Sequence, residues 1–281
     1  MTVPGPRAGV VGLGMIGGGV AVSLARSGRT PAVHDLRPDA AAGLAGVPAP
    51  LGSPAEVAAA SDVVLVAVVD AAQARTVLTG ENGILTAAHP GLTVVLLSTV
   101  AVPVVHELGA ACAAAGVSLL DCGVTPGDRA AENGMVAILG GDADVVERAR
   151  PVLADFAKRV VHCGPPGAGM ATKIARNVIT YGSWTVVHEA VTLARAAGVD
   201  PATLVEVIET ADPAGATLLS WLRDQIAEHP VNRPVVPQVE VLLDKDLAAA
   251  QELAGELGLS VPLVDLAREA GPRTLAYPEG S

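Results

Sequence analysis

The sequence predicts an α/β protein, in which a doubly wound, mostly parallel N-terminal sheet is followed by an all-α domain entered through a long helix. Three observations support this fold class. Short runs rich in β-branched residues alternate with helical patterns over residues 1–163. A glycine-rich turn, GLGMIG at 12–17, follows the first of these runs. After GPPG at 164–167, no further strand-like run occurs.

Seven strands are predicted in the first part of the chain, at 7–12, 31–35, 63–69, 93–97, 117–121, 135–139 and 159–163. Strands that are apolar on both faces are typical of a parallel sheet covered by helices on both sides. Helical periodicity predicts the intervening helices 15–27, 103–115 and 142–157. Because the last strands have shorter connections, we expect the far edge of the sheet to be mixed or antiparallel.

The second part of the chain is predicted to be entirely helical. Residues 169–197 contain no proline and have helical apolar spacing, which predicts one long helix with Gly182 as its weakest point. Further helices are predicted at 201–210, 214–228, 239–258 and 262–270. We therefore expect a dinucleotide-binding Rossmann-type domain at 1–164, and a helical domain for substrate binding and oligomerisation at 165–281.

The composition limits the classes of partner and site. Of the 281 residues, 51% are hydrophobic and 2% aromatic, which favours a core of small aliphatic side chains. The net charge of −11 argues against nucleic acid or an anionic membrane as a partner. Cys112, Cys122 and Cys163 have neither CxxC spacing nor an even count, so a reduced, cytoplasmic protein is expected. No histidine pair has ligand spacing, so no metal site is expected.

The glycine-rich turn predicts a dinucleotide site. Gly12 is expected to form the tight turn, Gly14 to admit the pyrophosphate, and Gly17 to let the helix pack closely on the strand. Met15 and Ile16 lie between these glycines, where the backbone amides of the helix N-terminus would face a phosphate.

An acidic residue at the end of the second strand completes the fingerprint. Asp35 lies 18 residues beyond Gly17, where a carboxylate accepts hydrogen bonds from the adenosine ribose diol and favours NAD. Arg37 follows it, and a guanidinium there is able to hold the 2′-phosphate of NADP instead. The preferred interpretation of Arg37 is instead a solvated loop charge. NAD is therefore the expected cofactor, with NADP as the second option.

Lys173 and Asn177 are candidate catalytic residues at the start of the long helix. Residues four apart share a helical face, so both side chains can point at one spot. Burial of the lysine beside a cationic nicotinamide would disfavour its charged form, which suits it to take and return a proton. By spacing alone, the more common interpretation is that a Lys and an Asn on one helix are simply solvated.

The chain resembles the β-hydroxyacid dehydrogenase family, which includes 3-hydroxyisobutyrate dehydrogenase and tartronate semialdehyde reductase. Four motifs in order carry the resemblance: GLGMIG, the Gly167/Gly169/Lys173/Asn177 set, KDL at 245–247 and the later Pro262. The resemblance implies hydride transfer between a nicotinamide cofactor and a small 3-hydroxy acid, with a lysine as general acid and base.

The resemblance also assigns individual residues. Lys173 corresponds to the catalytic lysine and Asn177 to its partner, while Val68 and Thr99 fall in cofactor loops of the family. Lys245 corresponds to a lysine that reaches the cofactor and substrate from the second domain. The alternative is a surface charge paired with a neighbouring carboxylate.

The substrate loop departs from the family pattern. Where the family has DAPVSGG, this chain has DCGVTPG at 121–127, so that Gly123 occupies the proline position. Thr125, Pro126 and Gly127 are the expected substrate contacts, although Pro126 removes a backbone N–H. Arg176 replaces a common asparagine, and either binds a second anionic group or faces solvent or another subunit.

Two alternative functions follow. An imine reductase-like enzyme would share the architecture, but such enzymes usually lack the lysine at 173. A non-catalytic dinucleotide-binding protein would have no reason to keep Lys173, Asn177 and Lys245 together. The expected partners are a small-molecule substrate and further copies of the chain, as a homodimer or homotetramer.

Overall fold

A seven-stranded sheet forms the centre of the N-terminal part of the computed structural model, which describes residues 5–277. The strands lie in the order β2-β1-β3-β4-β5-β6-β7. Their bounds are β1 (Ala8–Val11), β2 (Ala32–His34), β3 (Val63–Val66), β4 (Thr93–Leu96), β5 (Ser118–Thr125), β6 (Met135–Gly140) and β7 (Ala157–Gly164). All neighbours are parallel except β5 and β6. This confirms the predicted fold class and the mixed far edge.

The strands are apolar at consecutive positions because successive side chains point to opposite faces of the sheet, and both faces are buried. In β3, Val63 and Leu65 pack into the core on one face of the sheet, while Val64 and Val66 pack into the core on the other. Both faces are covered by helices: α1 (Met15–Arg26), α2 (Pro54–Ala59), α3 (Ala71–Thr79), α4 (Val102–Ala114) and α5 (Ala143–Leu153). A strand buried on both sides cannot show the polar–apolar alternation of a half-exposed strand.

Two boundaries in the N-terminal part of the chain differ by four residues from the sequence-based prediction. The fifth strand was expected to end at residue 121, but β5 continues to Thr125 because Gly123 and Thr125 pair with Ile138 and Val136 of β6. The helix predicted over 142–157 ends at Leu153. There the chain turns around the fully buried Phe156 and enters β7.

The C-terminal helices begin with α6 (Ala168–Ala196), a continuous helix of 29 residues, as the proline-free pattern predicts. The others are α7 (Pro201–Ala211), α8 (Ser220–Gln225), α9 (Val236–Glu256) and α10 (Pro262–Leu275). The helix predicted over 214–228 is mostly absent. The Asp212 carboxylate accepts hydrogen bonds from the amides of Ala216 and Thr217 at 2.9 and 2.8 Å, which stabilises a turn, and only α8 is α-helical.

The chain forms two compact units, the first ending at Val178 and the second beginning at Ile179. The division expected near residue 164 lies at the GPPG turn. The boundary between the two units instead falls within α6, just over one turn beyond Lys173. The first turns of α6 therefore belong to the same unit as the sheet. Within residues 5–277, no helix has both the length and the apolar composition needed to cross a bilayer.

Candidate active site

Glycines shape the turn between β1 and α1. Gly12 has φ of +90°, and a Cβ there would lie 2.5 Å from the carbonyl oxygen of Ala67. A Cβ at Gly17 would lie 1.8 Å from the carbonyl oxygen of Gly12. A Cβ at Gly14, by contrast, would meet no atom within 4 Å. The first and third glycines are thus required by close packing, while the second borders open space in which a ligand fits.

Asp35 accepts hydrogen bonds from two sides of the turn. Its Oδ2 accepts the Leu13 N–H at 2.7 Å, and its Oδ1 accepts the Arg37 N–H at 2.9 Å and Arg37 Nε at 3.1 Å. Partial burial acts to raise the pKa of Asp35, but the hydrogen bonds from Arg37 and Leu13 outweigh it and hold that pKa below its usual value. Asp35 is therefore a carboxylate at neutral pH.

A cleft of about 940 Å³ opens at the carboxyl ends of β1, β2 and β3. Five predicted cofactor residues line it, namely Gly12, Gly14, Asp35, Arg37 and Val68. The cleft lies where the chain crosses from one side of β1 to the other, which is where doubly wound sheets bind nucleotides. Its position and size suit the adenosine and pyrophosphate of a dinucleotide.

The remaining predicted cofactor residues of the first unit surround this cleft less closely. Met15 is 74% exposed at the start of α1, and Thr99 is exposed after β4. Ser98, which precedes Thr99 in the same family-like loop but was not predicted to be a site residue, fixes the adjacent wall. Its hydroxyl donates to the Val68 carbonyl at 2.7 Å and accepts the Val68 N–H at 3.0 Å. Only its position beside Thr99 signals this role in the sequence.

Asp121 fixes the start of α6 on the sheet. This buried residue of β5 accepts the amides of Gly167 at 2.7 Å and Met170 at 2.6 Å. A Cβ at Gly169 would lie 2.5 Å from the amide nitrogen of Gly140, so the helix touches β6 backbone to backbone. Sequence analysis missed this role, for which the signal is an acidic residue at the end of an otherwise apolar predicted strand.

Lys173 is buried against β5, and Nζ donates to the carbonyl oxygen of Val124 at 2.8 Å. Burial lowers the pKa of Lys173, and the nearby positive charge of Arg176 lowers it further. The solvated interpretation of this lysine is therefore wrong. The amine contacts the residue that precedes Thr125, and its lowered pKa enlarges the neutral fraction that a general base requires.

The predicted substrate loop contacts the predicted cofactor turn. After Pro126, a short 3₁₀ helix (Gly127–Glu132) packs on α1. A Cβ at Gly127 would lie 3.4 Å from Cγ1 of Ile16. The Ser23 hydroxyl donates a hydrogen bond to the carbonyl oxygen of Ala130 at 2.7 Å. The structure thus brings Thr125, Gly127 and Lys173 together in one unit with the dinucleotide turn.

Two predicted residues have contacts that do not involve this cluster. Asn177 is half-buried one turn beyond Lys173, and its Oδ1 accepts Arg176 Nη1 at 3.3 Å. Lys245 lies in the second unit, on α9, where Nζ is 3.1 Å from the carboxylate of Asp246. This ion pair is the alternative considered for Lys245, and its role toward a ligand stays a prediction. Among residues 5–277, no group of three His, Cys, Asp or Glu side chains is placed to hold a metal ion.

Known protein families match both parts of the chain. The NAD binding domain of 6-phosphogluconate dehydrogenase matches residues 7–164. The family model described as "NAD-binding of NADP-dependent 3-hydroxyisobutyrate dehydrogenase" matches residues 167–277.

Individual relatives match over nearly the full chain. L-threonate dehydrogenase of Cupriavidus necator is 36% identical over 261 residues, covering 91% of this chain and 86% of the relative. The structure of Mycobacterium tuberculosis 3-hydroxyisobutyrate dehydrogenase with L-serine has a TM-score of 0.69 at 27% identity, covering 96% and 94% of the two chains. An imine reductase variant from Myxococcus stipitatus in complex with NAD⁺ has a TM-score of 0.76 at 18% identity, covering 97% and 94%, which shows a shared fold alone.

Proposed function

Since the chain belongs to the 3-hydroxyisobutyrate dehydrogenase family of NAD-binding oxidoreductases, we propose that it interconverts a small 3-hydroxy acid and the corresponding semialdehyde or keto acid, with Lys173 as general acid and base. The family matches confirm the resemblance, the enzyme class and the nicotinamide dinucleotide expected from the sequence. The observation that carries the proposal is the buried amine of Lys173, on the same unit as the dinucleotide cleft.

The proton is the part of the reaction that the protein itself must handle. Loss of hydride from the carbinol carbon leaves a developing carbonyl whose hydroxyl proton needs an acceptor. A bound nicotinamide would accept the hydride. Lys173, when its amine is neutral, takes the proton. Because its pKa lies below the ordinary value of 10.5, a larger fraction of the amine is neutral near physiological pH. In the reducing direction, the ammonium returns the proton to the carbonyl oxygen.

The substrate carboxylate is assigned to the end of β5 and the residues that follow it. The hydroxyl of Thr125 and the backbone of Gly127 are the expected donors, and Pro126 offers no N–H between them. Asn177 is assigned to the substrate hydroxyl or to Lys173 itself, and Lys245 to the cofactor and substrate as the family resemblance implies. The name of L-threonate dehydrogenase supports a small hydroxy acid as substrate, and the name of 3-hydroxyisobutyrate dehydrogenase supports a 3-hydroxy acid.

NAD is proposed as the preferred cofactor. Gly12, Gly14 and Gly17 shape the turn for the pyrophosphate, and the ionised Asp35 suits the ribose diol. The opposing feature is Arg37, which pairs with Asp35 and lines the same cleft. Asp35 therefore offers its remaining acceptor capacity to the diol while Arg37 neutralises part of its charge.

The second unit is proposed to bind another copy of the chain, giving a homodimer or homotetramer. Along α6, the exposed side chains Tyr181, Trp184 and Val187 recur at helical spacing and are 54%, 65% and 56% exposed. The three cysteines are unpaired, which supports a reducing, cytoplasmic location. The functional division proposed from the sequence assigns cofactor binding to residues 1–164, and substrate binding and assembly to residues 165–281.

The proposal is tested with Lys173→Met, which keeps the apolar stem and removes the base. We expect NAD affinity and folding to persist, while kcat for a 3-hydroxy acid falls at least 10²-fold, since a placed proton acceptor contributes roughly 10²–10⁴-fold. In the wild type, kcat for oxidation should rise with pH and reach a plateau, and the midpoint of this rise should lie below pH 10.5. The panel includes C3–C6 hydroxy acids and a cyclic imine.

Each result of this test is decisive. A Lys173→Met variant within about threefold of wild type would remove the lysine from the mechanism. Reduction of the imine without oxidation of any hydroxy acid would favour the imine reductase-like alternative. Nucleotide binding without turnover of either substrate class would favour a non-catalytic role.

A further inference from the structure

Gly123 lies directly beneath the side chain of Lys173. It is buried in β5, opposite Ile138 of β6. A Cβ built at Gly123 would lie 2.4 Å from Cβ of Lys173, 2.7 Å from its Cγ and 3.3 Å from its Cδ. Carbon atoms in contact are normally about 3.5–4.0 Å apart. The lysine stem therefore occupies the space that any other residue at position 123 would fill.

A different lysine rotamer cannot relieve this contact. The Cβ of Lys173 is fixed by the helix backbone, so its 2.4 Å approach changes only if the first turns of α6 move away from β5. Asp121 opposes that movement, because its carboxylate holds the amides of Gly167 and Met170. Position 123 thus sets how closely the helix and the lysine stem approach the strand.

The close approach determines where the amine ends. With its stem along β5, Lys173 donates from Nζ to the Val124 carbonyl at 2.8 Å. An amine that gives one N–H to this carbonyl directs its lone pair away from the strand. The lone pair of the neutral form is then available to a hydroxyl held beside Thr125.

We propose that Gly123 is a positioning residue for Lys173, whose missing side chain lets the lysine lie on β5 with its amine buried and held by the Val124 carbonyl. The role in turnover rests on the proposed function, in which Lys173 transfers the proton. Where the family has proline, this chain has glycine at position 123. The geometry therefore describes how this particular chain places its general base.

The test is Gly123→Ala, with Gly109→Ala as the matched control. A Cβ at Gly109, in α4 of the same unit, would meet only Leu119 Cδ2 at an ordinary 3.7 Å. The chain has three lysines, and Lys158 and Lys245 are exposed, so they serve as internal references. Competitive labelling of the lysines with acetic anhydride, measured peptide by peptide across pH, reports the ionisation of Lys173 without any substrate.

We expect the half-labelling pH of Lys173 to rise in Gly123→Ala, because displacement from the strand exposes the amine. Lys158 and Lys245 should be unchanged, and Gly109→Ala should match wild type. With a hydroxy acid that the wild type oxidises, kcat of Gly123→Ala should fall roughly tenfold to hundredfold. A displacement of a catalytic group by about 1 Å lowers the rate by up to about 10²-fold. The alkaline limb of kcat should move to higher pH, and NAD affinity should be kept.

A folded Gly123→Ala protein with unchanged labelling of Lys173, or with unchanged kcat and pH profile, would overturn the proposal. If Gly123→Ala does not fold, the double variant Gly123→Ala/Lys173→Gly decides, because it removes the clashing stem. Recovery of folding supports the contact, and continued failure overturns it. If labelling shifts but the wild type oxidises no hydroxy acid, the positioning of Lys173 stands and the proposed function fails.

Discussion

At the scale of single residues, Asp35 serves two purposes, because the same carboxylate that faces the cleft also holds the Leu13 amide at 2.7 Å. Asp35→Ala should weaken NADH binding by roughly tenfold or more, since a hydrogen bond to a charged group contributes about 1.5–3 kcal/mol. NADPH binding should weaken less, because Arg37 is released for a 2′-phosphate, so the preference for NADH narrows. Fluorescence titration of both cofactors measures this ratio.

Asp144→Ala is a suitable control for this prediction, since Asp144 lies on the exposed surface of α5 and pairs with Arg148. Both cofactor affinities should match wild type in that variant. A wild-type protein that binds NADPH more tightly than NADH would show that Arg37, rather than Asp35, governs the choice.

Thr125 is the residue on which substrate recognition depends most in the proposal. Thr125→Val keeps the shape of the side chain and removes the hydroxyl, so KM should rise and kcat/KM should fall at least tenfold, as expected for about 1.5–3 kcal/mol. Cofactor affinity should stay unchanged, and Thr125→Ser should restore most of the loss. Steady-state kinetics with a single hydroxy acid give both values; an unaltered kcat/KM in Thr125→Val would assign the carboxylate elsewhere.

Sequence reasoning selected residues in recognisable motifs and left out residues that act through contacts with elements far away in the chain. Lys173 and Asp35 stand in motifs that constrain residue type and spacing. Ser98 and Gly123 were not selected, because their importance depends on which backbone lies opposite them. That information arises only when strands far apart in the chain are paired.

At the scale of secondary-structure elements, the attachment of α6 to the sheet depends on Asp121. Asp121→Asn leaves one carbonyl oxygen for two amides and places an NH₂ group against a buried N–H. We expect a loss of about 1–3 kcal/mol in the free energy of unfolding, as for a buried donor left without an acceptor. The urea-induced unfolding transition of the first unit measures this free energy. We expect kcat to fall in parallel.

Asp142→Asn provides the comparison, because Asp142 precedes α5 without a side-chain capping hydrogen bond and is exposed. Its unfolding free energy should stay within about 0.5 kcal/mol of wild type. An Asp121→Asn protein as stable as this control would show that the glycine contacts alone hold the helix.

The elements also show which local signals predict structure well. The continuous helix α6 was predicted because its pattern persists over 29 residues, and the buried strands because each is a short run rich in β-branched residues. The extension of β5 to Thr125 was not, since Gly and Pro in the segment 123–127 are typical of a loop. Pairing with β6 outweighed that local preference.

At the scale of the whole molecule, the exposed apolar residues of the second unit predict self-association. Trp184→Glu introduces a charge into the stripe that includes Tyr181, whose ring is 5.3 Å from that of Trp184. We expect light scattering to detect an oligomer for the wild type and its dissociation in Trp184→Glu, because desolvating an unpaired carboxylate costs several kcal/mol. Ala113→Glu, on an exposed position of α4, should leave the assembly intact. A monomeric wild type would refute the prediction.

The long helix has a consequence for recombining this protein with its relatives. A crossover at the GPPG turn would take Lys173 from one parent and Asp121 from the other, and so separate the proposed base from the carboxylate that holds its helix. A crossover after Val178 keeps them together but falls inside α6. There, one inserted or deleted residue turns the remainder of the helix by about 100°. Functional chimeras must therefore preserve helical phase across this junction, and length differences between parents have to be absorbed after Ala196.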